Sequence, residues 1–279
     1  MFSLNARDKV LDLSRPVIMG ILNVTPDSFS DGGRFNAIEA ACDHADKLIA
    51  EGAAIIDIGG ESTRPGAAEV SLDEELARVI PLVEYVTKTH DVWVSVDTSK
   101  AAVMAEAVKS GAHLINDVRA LQEEGALAAA AASGLPVCLM HMQGQPRTMQ
   151  HNPSYGELIA DVCAFFEQRI AACVDAGIPR AQIILDPGFG FGKTLAHNYE
   201  LLARFGEFER FDLPLLAGLS RKSMFGNLLG RDATSRLAGS LAGAMLATQA
   251  GANILRVHDV AQTADVLKVL EATRNYKQL

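Results

Sequence analysis

The 279-residue sequence lacks the charge and the apolar runs that mark two large classes of protein. It has no basic excess, since 25 Lys and Arg against 34 Asp and Glu give a formal net charge of -9. We therefore expect no nucleic-acid partner, because binding along phosphate backbones needs a broad surplus of Lys and Arg. Residues 1–10 lack the apolar core of a signal peptide, and polar residues interrupt the longest apolar stretch, so no membrane partner is expected either.

Motifs for covalent or zinc chemistry are also missing. The four cysteines form no CxxC pair, so we expect reduced thiols with packing roles and a cytoplasmic location. Neither the HExxH zinc spacing nor the GxSxG nucleophile elbow occurs. The sequence gives no candidate for a protein nucleophile.

Residues 188–194 read GFGFGKT and imitate a phosphate-binding loop without matching one. A Walker motif has four residues between its glycines, whereas only three separate Gly188 from Gly192, and Lys193 stands where a dinucleotide motif needs its third glycine. Nucleotide binding is therefore not expected. We interpret the segment as a mobile loop whose Phe189 or Phe191 covers an aromatic ligand.

A strand–helix unit repeats along the whole chain. The candidate strands are apolar throughout, which is typical of a parallel sheet that is buried on both faces. Eight strands alternating with about eight helices fit either an open doubly wound sheet or a (β/α)8 TIM barrel, and the count favours the barrel. No linker divides the chain, so we predict an α/β single domain over residues 1–279. The strands are expected to begin near Val17, Ala54, Val92, Leu114, Val137, Ile183, Leu215 and Ile254.

Each predicted strand ends on a polar or charged group, while the strand starts are nearly all apolar. In a parallel barrel these ends meet at one rim, where active sites form. Asp97, Asn116 and Asp186 would offer hydrogen-bond acceptors that suit a flat heterocycle with adjacent N–H donors. Cationic and imidazole groups at the same rim suit phosphate oxygens, and these are Arg64, Lys222, Arg256 and His258. The rim therefore predicts a ligand with an N–H edge and an anionic tail.

At these residues the chain resembles the bacterial dihydropteroate synthases, a pterin-binding family, over essentially its whole length. The matching segments are residues 19–33 (MGILNVTPDSFSDGG), 59–66 (GGESTRPG), 95–98 (SVDT), 115–117 (IND), 185–193 (LDPGFGFGK), 220–223 (SRKS) and 256–259 (RVHD). The set is highly specific in combination, and no position of evident function departs from it.

The resemblance implies a transferase of the pterinylmethyl group, which condenses 6-hydroxymethyl-7,8-dihydropterin diphosphate with para-aminobenzoate and releases pyrophosphate in folate biosynthesis. It implies Asp97, Lys222 and Arg256 as catalytic residues. The implied pterin site is Asp97, Asn116, Met140, Asp186, Lys222 and Arg256. The implied diphosphate site is Asn23, Thr63, Arg64, Arg256 and His258, with Asn23 also a ligand of Mg²⁺. The implied para-aminobenzoate site is Thr63, Arg64, Pro65, Phe191, Lys222 and Ser223.

The resemblance further implies a homodimer and a target of sulfonamide drugs. In the expected mechanism the cations and Mg²⁺ neutralise the departing diphosphate, and loops 23–35 and 60–66 close over it to exclude water. Two other readings remain open at this point. One is a methyltransferase that uses methyltetrahydrofolate in a similar pocket, and the other is a non-catalytic pterin-binding protein.

Overall fold

A computed structural model describes residues 2–24, 33–62, 67, 69–145 and 148–278, with the side chains of 33–36 and 278 excepted. Within these ranges the chain forms ten strands. They are β1 (Ser3–Ala6), β2 (Lys9–Asp12), β3 (Val17–Asn23), β4 (Ile55–Gly59), β5 (Trp93–Asp97), β6 (Leu114–Asp117), β7 (Val137–Met140), β8 (Ile183–Asp186), β9 (Leu216–Ala217) and β10 (Ile254–Val257).

Eight of the strands form the predicted parallel barrel. Their order is β8-β7-β6-β5-β4-β3-β10-β9, and each paired neighbour runs parallel. A parallel bridge between Leu185 and Leu215 joins the two ends of this order, and the amide of Leu185 donates to the carbonyl of Pro214 at 2.9 Å. The ring is thereby closed, and each predicted strand start is correct to within one residue.

Helices follow the barrel strands and cover their outer surface. Ser71 caps the second helix, because its hydroxyl accepts from the amide of Glu74 at 3.3 Å, as the Ser71–Glu74 pattern indicates. The described helices are α1 (Gly33–Ala50), α2 (Leu72–Thr89), α3 (Ala101–Lys109), α4 (Ala126–Ser133), α5 (Leu158–Asp175), α6 (Leu195–Ala203), α7 (Ser223–Leu229), α8 (Leu237–Gln249) and α9 (Val260–Arg274).

The two-residue period of a strand decides which side chains point into the barrel. In β4, Ile56 and Ile58 pack outward with the helices, while Ile55 belongs to the inner apolar cluster. Counting in twos from the inner cluster therefore leads to the polar rim. Ile55 leads to Asp57, Trp93 to Asp97, Leu114 to Asn116, Ile184 to Asp186 and Ile254 to Arg256.

The antiparallel hairpin of β1 and β2 was not among the predicted elements. Its Leu4 and Leu11 pack with Met19 and Trp93 at the end of the barrel where the strands begin. This end is filled with apolar side chains, so we expect a ligand site at the opposite rim.

Two further expectations concern the chain as a whole. The four cysteines are unpaired, and Cys138, Cys163 and Cys173 are buried as packing groups. Among the described residues, no helix combines the length and the apolar character needed to cross a membrane.

Candidate active site

Strand register brings the predicted acceptors to one level of the rim. Asp97 pairs with Gly59 on one side and with Asn116 on the other, and Met140 pairs with Asp186. All of these positions lie at the carboxyl ends of their strands. The convergence follows from parallel pairing alone, without any contribution from the loops.

Arg256 ties the centre of this rim together. Its Nε donates to Asp57 Oδ2 at 2.6 Å, and its Nη2 donates to Asp97 Oδ2 at 2.6 Å. Asn116 Nδ2 donates to the same Asp57 carboxylate at 3.2 Å. Two buried carboxylates thus share one guanidinium, which reduces the cost of removing them from water.

Asp57 received no role from the sequence, yet it lies at the middle of this network and is fully buried. Two signals could have identified it. It interrupts an aliphatic run between Ile56 and Ile58, and it shares the inward parity of Asp97 and Asn116.

Burial raises the pKa of Asp97 from 3.8 to about 7, because the loss of water outweighs the opposing charge of Arg256 and the neighbouring Asp57 adds repulsion. Burial also raises the pKa of Asp186. Asp186 Oδ1 accepts from the amide of Gly188 at 2.8 Å, which holds this carboxylate at the rim.

Lys222 supplies a second cation beside these carboxylates. Burial lowers its pKa from 10.5 to about 8, and the charge of Asp186 opposes that effect. Its Nζ lies 4.2 Å from the centre of the Phe191 ring, which is a cation–π distance. Met140, at the end of β7, is buried beside Asp186 of β8.

Asn23 ends β3 at the edge of the same cluster. A Cβ atom on Gly59 would lie 3.5 Å from Asn23 Oδ1 and 3.6 Å from Asp97 Oδ2, so both oxygens border the space that the absence of a side chain at Gly59 leaves open. Oxygen donors suit Mg²⁺, which usually keeps waters and takes few protein ligands. Among the described residues, no three His, Cys, Asp or Glu side chains converge on a possible metal position, so Mg²⁺ stays a prediction.

His258 directly follows β10, two residues after Arg256. Its Nδ1 and its backbone amide both lie 3.1 Å from the Ser220 hydroxyl. Burial, together with the charges of Arg221 and Arg256, lowers the pKa of His258 to about 3. This imidazole is therefore neutral at pH 7 and offers an anion an N–H group rather than a charge.

The structure of the glycine-rich segment corrects one of the two expectations for its phenylalanines. Phe189 is 1% exposed and stacks on Phe205 at 6.0 Å, so the expectation that it covers a ligand is wrong. Phe191, the other candidate, faces Lys222. The glycines permit close packing, since a Cβ on Gly188 would lie 1.9 Å from the carbonyl oxygen of His141.

The remaining predicted residues are distributed as follows. Ser223 begins α7 directly after Lys222 and is exposed. Thr63, Arg64 and Pro65 lie outside the described residues, as do parts of loops 23–35 and 60–66. A cavity of about 630 Å³ opens beside Asp97 and is lined also by Glu61, Thr98 and Lys100.

The pterin binding enzyme family matches residues 19–258, which is nearly the whole barrel and every described rim residue. The chain belongs to this family. Two kinds of comparison give proteins that are similar to this chain, one in sequence and one in structure.

In sequence, the chain is 59% identical over 273 residues to the dihydropteroate synthase of Escherichia coli strain K12, covering 98% of this chain and 97% of the relative. In structure, it is similar to Yersinia pestis dihydropteroate synthase with a sulfonamide drug complex, with a TM-score of 0.94, 60% identity and 98% and 99% coverage. It is also similar to Xanthomonas albilineans dihydropteroate synthase with 4-aminobenzoic acid, with a TM-score of 0.93, 49% identity and 98% coverage of each chain. The TIM barrel and the predicted family are thus confirmed.

Proposed function

We propose that the chain is a dihydropteroate synthase, which condenses 6-hydroxymethyl-7,8-dihydropterin diphosphate with para-aminobenzoate and releases pyrophosphate. The observation that carries this conclusion is 59% identity to the Escherichia coli enzyme over 98% of this chain. The geometry of the rim agrees with it, because buried acceptors and two cations share one barrel mouth.

The buried acceptors form the pterin site in this proposal. Asp97, Asn116 and Asp186 present oxygens to the N–H edge of the ring, and Met140 packs against the ring. Ring N–H donors would stabilise the ionised form of Asp97, whose burial otherwise favours the protonated form. Lys222 and Arg256 complete the site, with the guanidinium of Arg256 at one face of the ring.

The diphosphate lies toward Asn23, Arg256 and His258, with Thr63 and Arg64 as the expected contributors from the loop after β4. Arg256 supplies charge, and His258 supplies an N–H group because its pKa is lowered to about 3. Asn23 would hold Mg²⁺ through its amide oxygen, with the remaining ligands from diphosphate and water. When bound, the metal would neutralise negative charge on the diphosphate.

The aryl amine occupies the outer part of the site. Phe191 presents its ring beside the ammonium group of Lys222, and Ser223 lies at the start of α7. Together with Thr63, Arg64 and Pro65, these residues form the proposed para-aminobenzoate site. A sulfonamide drug, which resembles para-aminobenzoate in shape, would compete there.

The chemical step requires no protein nucleophile. As the C–O bond to the diphosphate breaks, the electron-rich dihydropterin delocalises positive charge from its methylene carbon, and the ionised carboxylate of Asp97 favours that charge. The amine nitrogen then forms the new C–N bond and loses a proton. Exclusion of water protects the cation from hydrolysis, and closure of loops 23–35 and 60–66 would provide it.

The test is to supply purified protein with the pterin diphosphate, para-aminobenzoate and Mg²⁺. We expect pyrophosphate and dihydropteroate in a one-to-one ratio, with both products lost when para-aminobenzoate is omitted. Methyl transfer from methyltetrahydrofolate, or binding of the pterin without turnover, would contradict the proposal.

The partners and the location are proposed on separate grounds. A homodimer is supported by exposed apolar side chains on two neighbouring helices, namely Leu228 and Leu229 on α7 and Met245 and Leu246 on α8. Light scattering on wild-type protein and on Leu229→Glu tests it, and a wild-type monomer would contradict it. A cytoplasmic location is supported by the four unpaired cysteines.

A further inference from the structure

We call residues 188–192 the glycine-rich loop. Side chains from the next residue, Lys193, and from the connection between β7 and α5 hold this loop in place. Four of the five carbonyl oxygens in this loop accept hydrogen bonds from side chains. Lys193 Nζ donates to Gly188 O at 3.0 Å and to Phe191 O at 3.1 Å, Gln150 Nε2 donates to Gly190 O at 2.6 Å, and the Tyr155 hydroxyl donates to Gly192 O at 2.7 Å.

Lys193 is the central donor and is 3% exposed. A buried ammonium group is tolerated when its three N–H donors all find acceptors. Here the third acceptor is Nδ1 of His141 at 3.0 Å. Burial and the nearby charge of Lys193 lower the pKa of His141 to about 2, so its ring is neutral and Nδ1 can accept. Burial lowers the pKa of Lys193 from 10.5 to about 7, and the charge of Asp186 opposes that effect. The three acceptors match the three donors of the protonated form and so favour it.

The backbone of the glycine-rich loop also fits closely against residues 141–143. A Cβ on Gly192 would lie 2.5 Å from the carbonyl oxygen of Gln143, which excludes any larger residue. Gln143 in turn exchanges two hydrogen bonds with the backbone of Ser154, at 2.7 and 3.0 Å. The described residues of the connection between β7 and α5 thus pack against the glycine-rich loop and support it.

The glycine-rich loop determines where two proposed site residues lie. Phe191 is part of it, and Gly190 approaches the Lys222 side chain so closely that a Cβ would lie 3.2 Å from Lys222 Cδ. The Phe191 ring and the Lys222 ammonium group are then 4.2 Å apart. A shift of the loop would move the ring away from the ammonium group.

We propose that Lys193, assisted by Tyr155 and Gln150, is a positioning residue that fixes the glycine-rich loop so that Phe191 and Lys222 are preorganised for the aryl amine. The inference rests on the proposed function for its substrate, but not for its geometry. None of these three residues needs to touch a substrate. They act through Phe191, whose place the loop defines.

The experiment compares Tyr155→Phe and Lys193→Met with the wild-type enzyme. Both substitutions remove hydrogen-bond donors and keep the side-chain size, and Tyr155→Phe leaves the core unchanged. Lys268→Met, at a lysine side chain that is 76% exposed on α9, is the matched control. The measurements are both KM values, kcat, Tm and the hydrogen exchange of a peptide that spans residues 188–192.

We expect the KM for para-aminobenzoate to rise by about tenfold in Lys193→Met and by less in Tyr155→Phe, which removes one hydrogen bond rather than three. In Tyr155→Phe, which removes no charge near Asp186, the KM for the pterin diphosphate should change by less than about twofold. Exchange in the 188–192 peptide should accelerate in both variants and stay unchanged in Lys268→Met.

Two outcomes overturn the proposal: unchanged exchange with unchanged KM values, or a parallel rise of both KM values that follows a fall in Tm. If Lys193→Met does not fold, Tyr155→Phe still decides by the same criteria. A wild-type protein without synthase activity would refute the proposed function, whereas the exchange measurement would still test the positioning.

Discussion

Individual ionisable side chains at the barrel mouth have pKa values that burial moves toward neutrality. The pKa of Asp97 is raised to about 7, and that of Lys222 is lowered to about 8. Groups poised near the working pH are typical of functional sites, because folding alone gains nothing from a buried, half-ionised carboxyl. These residues are therefore expected to matter more for turnover than for stability.

Asp97→Asn tests that expectation. The folded-state pKa of Asp97 lies above its ordinary 3.8, so its contribution to stability is present at low pH and is lost as pH rises from about 4 to about 7. The amide avoids this loss, so Tm at pH 8 should not fall, while kcat/KM should fall at least about 100-fold. Calorimetry and steady-state rates measure both, with Asp265→Asn, on an exposed side chain of α9, as the control. Retention of near-wild-type rates would show that Asp97 has another role.

The pH dependence of kcat/KM should reflect the same two groups. The ionised form of Asp97 and the protonated form of Lys222 are both required, so the profile should rise through about pH 7 and fall above about pH 8. In Lys222→Arg the alkaline fall should move beyond pH 10, because arginine does not lose its proton there. An unchanged alkaline limb in that variant would exclude Lys222 as its origin.

The convergence of side chains at the rim could be predicted from the sequence where parity and position coincided, whereas their roles stay predictions. Asp97, Asn116, Asp186 and Arg256 all end inward-facing runs, and the structure brings them together. Asp57 lies two residues before the end of β4, so strand-end position does not indicate it, although it holds Arg256. Lys193 lies in an incomplete phosphate motif, and its hydrogen bonds to backbone carbonyls follow no sequence pattern.

At the scale of elements, one ion pair joins the turns after β9 and β10. Arg221 donates to both carboxylate oxygens of Asp259 at 2.6 and 3.0 Å, and it adopts the left-handed region with φ of 56°. Its amide donates to the Ser240 hydroxyl at 2.8 Å. The pair therefore fixes the turn that presents Lys222 relative to the strand that presents His258.

Arg221→Ala should show whether the ion pair contributes mainly to stability or to the position of Lys222. The Arg221 side chain is 48% exposed, so the loss of stability should be at most about 1 kcal/mol. We expect a fall of about tenfold in kcat/KM for the pterin diphosphate, because the turn loses its tether. Partial recovery of rate in the charge-swapped pair Arg221→Asp with Asp259→Arg would support this role. Equal rates in wild type and Arg221→Ala would refute it.

Element prediction was most accurate for the parallel barrel and failed for the hairpin. Apolar strands repeat eight times along the barrel, so a misplaced boundary in one unit does not change the predicted fold. The hairpin strands have only four residues each, yet β1 alternates exposed and buried positions, with Leu4 and Ala6 inward. Such short alternating patterns occur often by chance. They predict strands only when the apolar barrel end that they cover is known.

At the scale of the whole molecule, the two ends of the barrel serve different purposes. The end that the hairpin covers is apolar, with Leu4, Met19 and Trp93 in one cluster. The opposite end carries the charged rim. Substitutions at the apolar end should therefore affect stability, and those at the rim should affect activity.

Leu4→Ala tests this division. Leu4 is fully buried, and truncation of a buried leucine costs about 2–5 kcal/mol of unfolding free energy. Denaturant titration should register that loss, while kcat and both KM values of the folded fraction stay within about twofold of wild type. A large change in KM without loss of stability would mean that the hairpin influences the rim.

The most direct test of the account is a crystal structure with the pterin diphosphate and Mg²⁺ bound. We predict the N–H edge of the ring within hydrogen-bond distance of Asp97, Asn116 and Asp186, with the diphosphate against Arg256 and His258. A ring bound away from these three side chains, with Asp97 still paired only to Arg256, would contradict it.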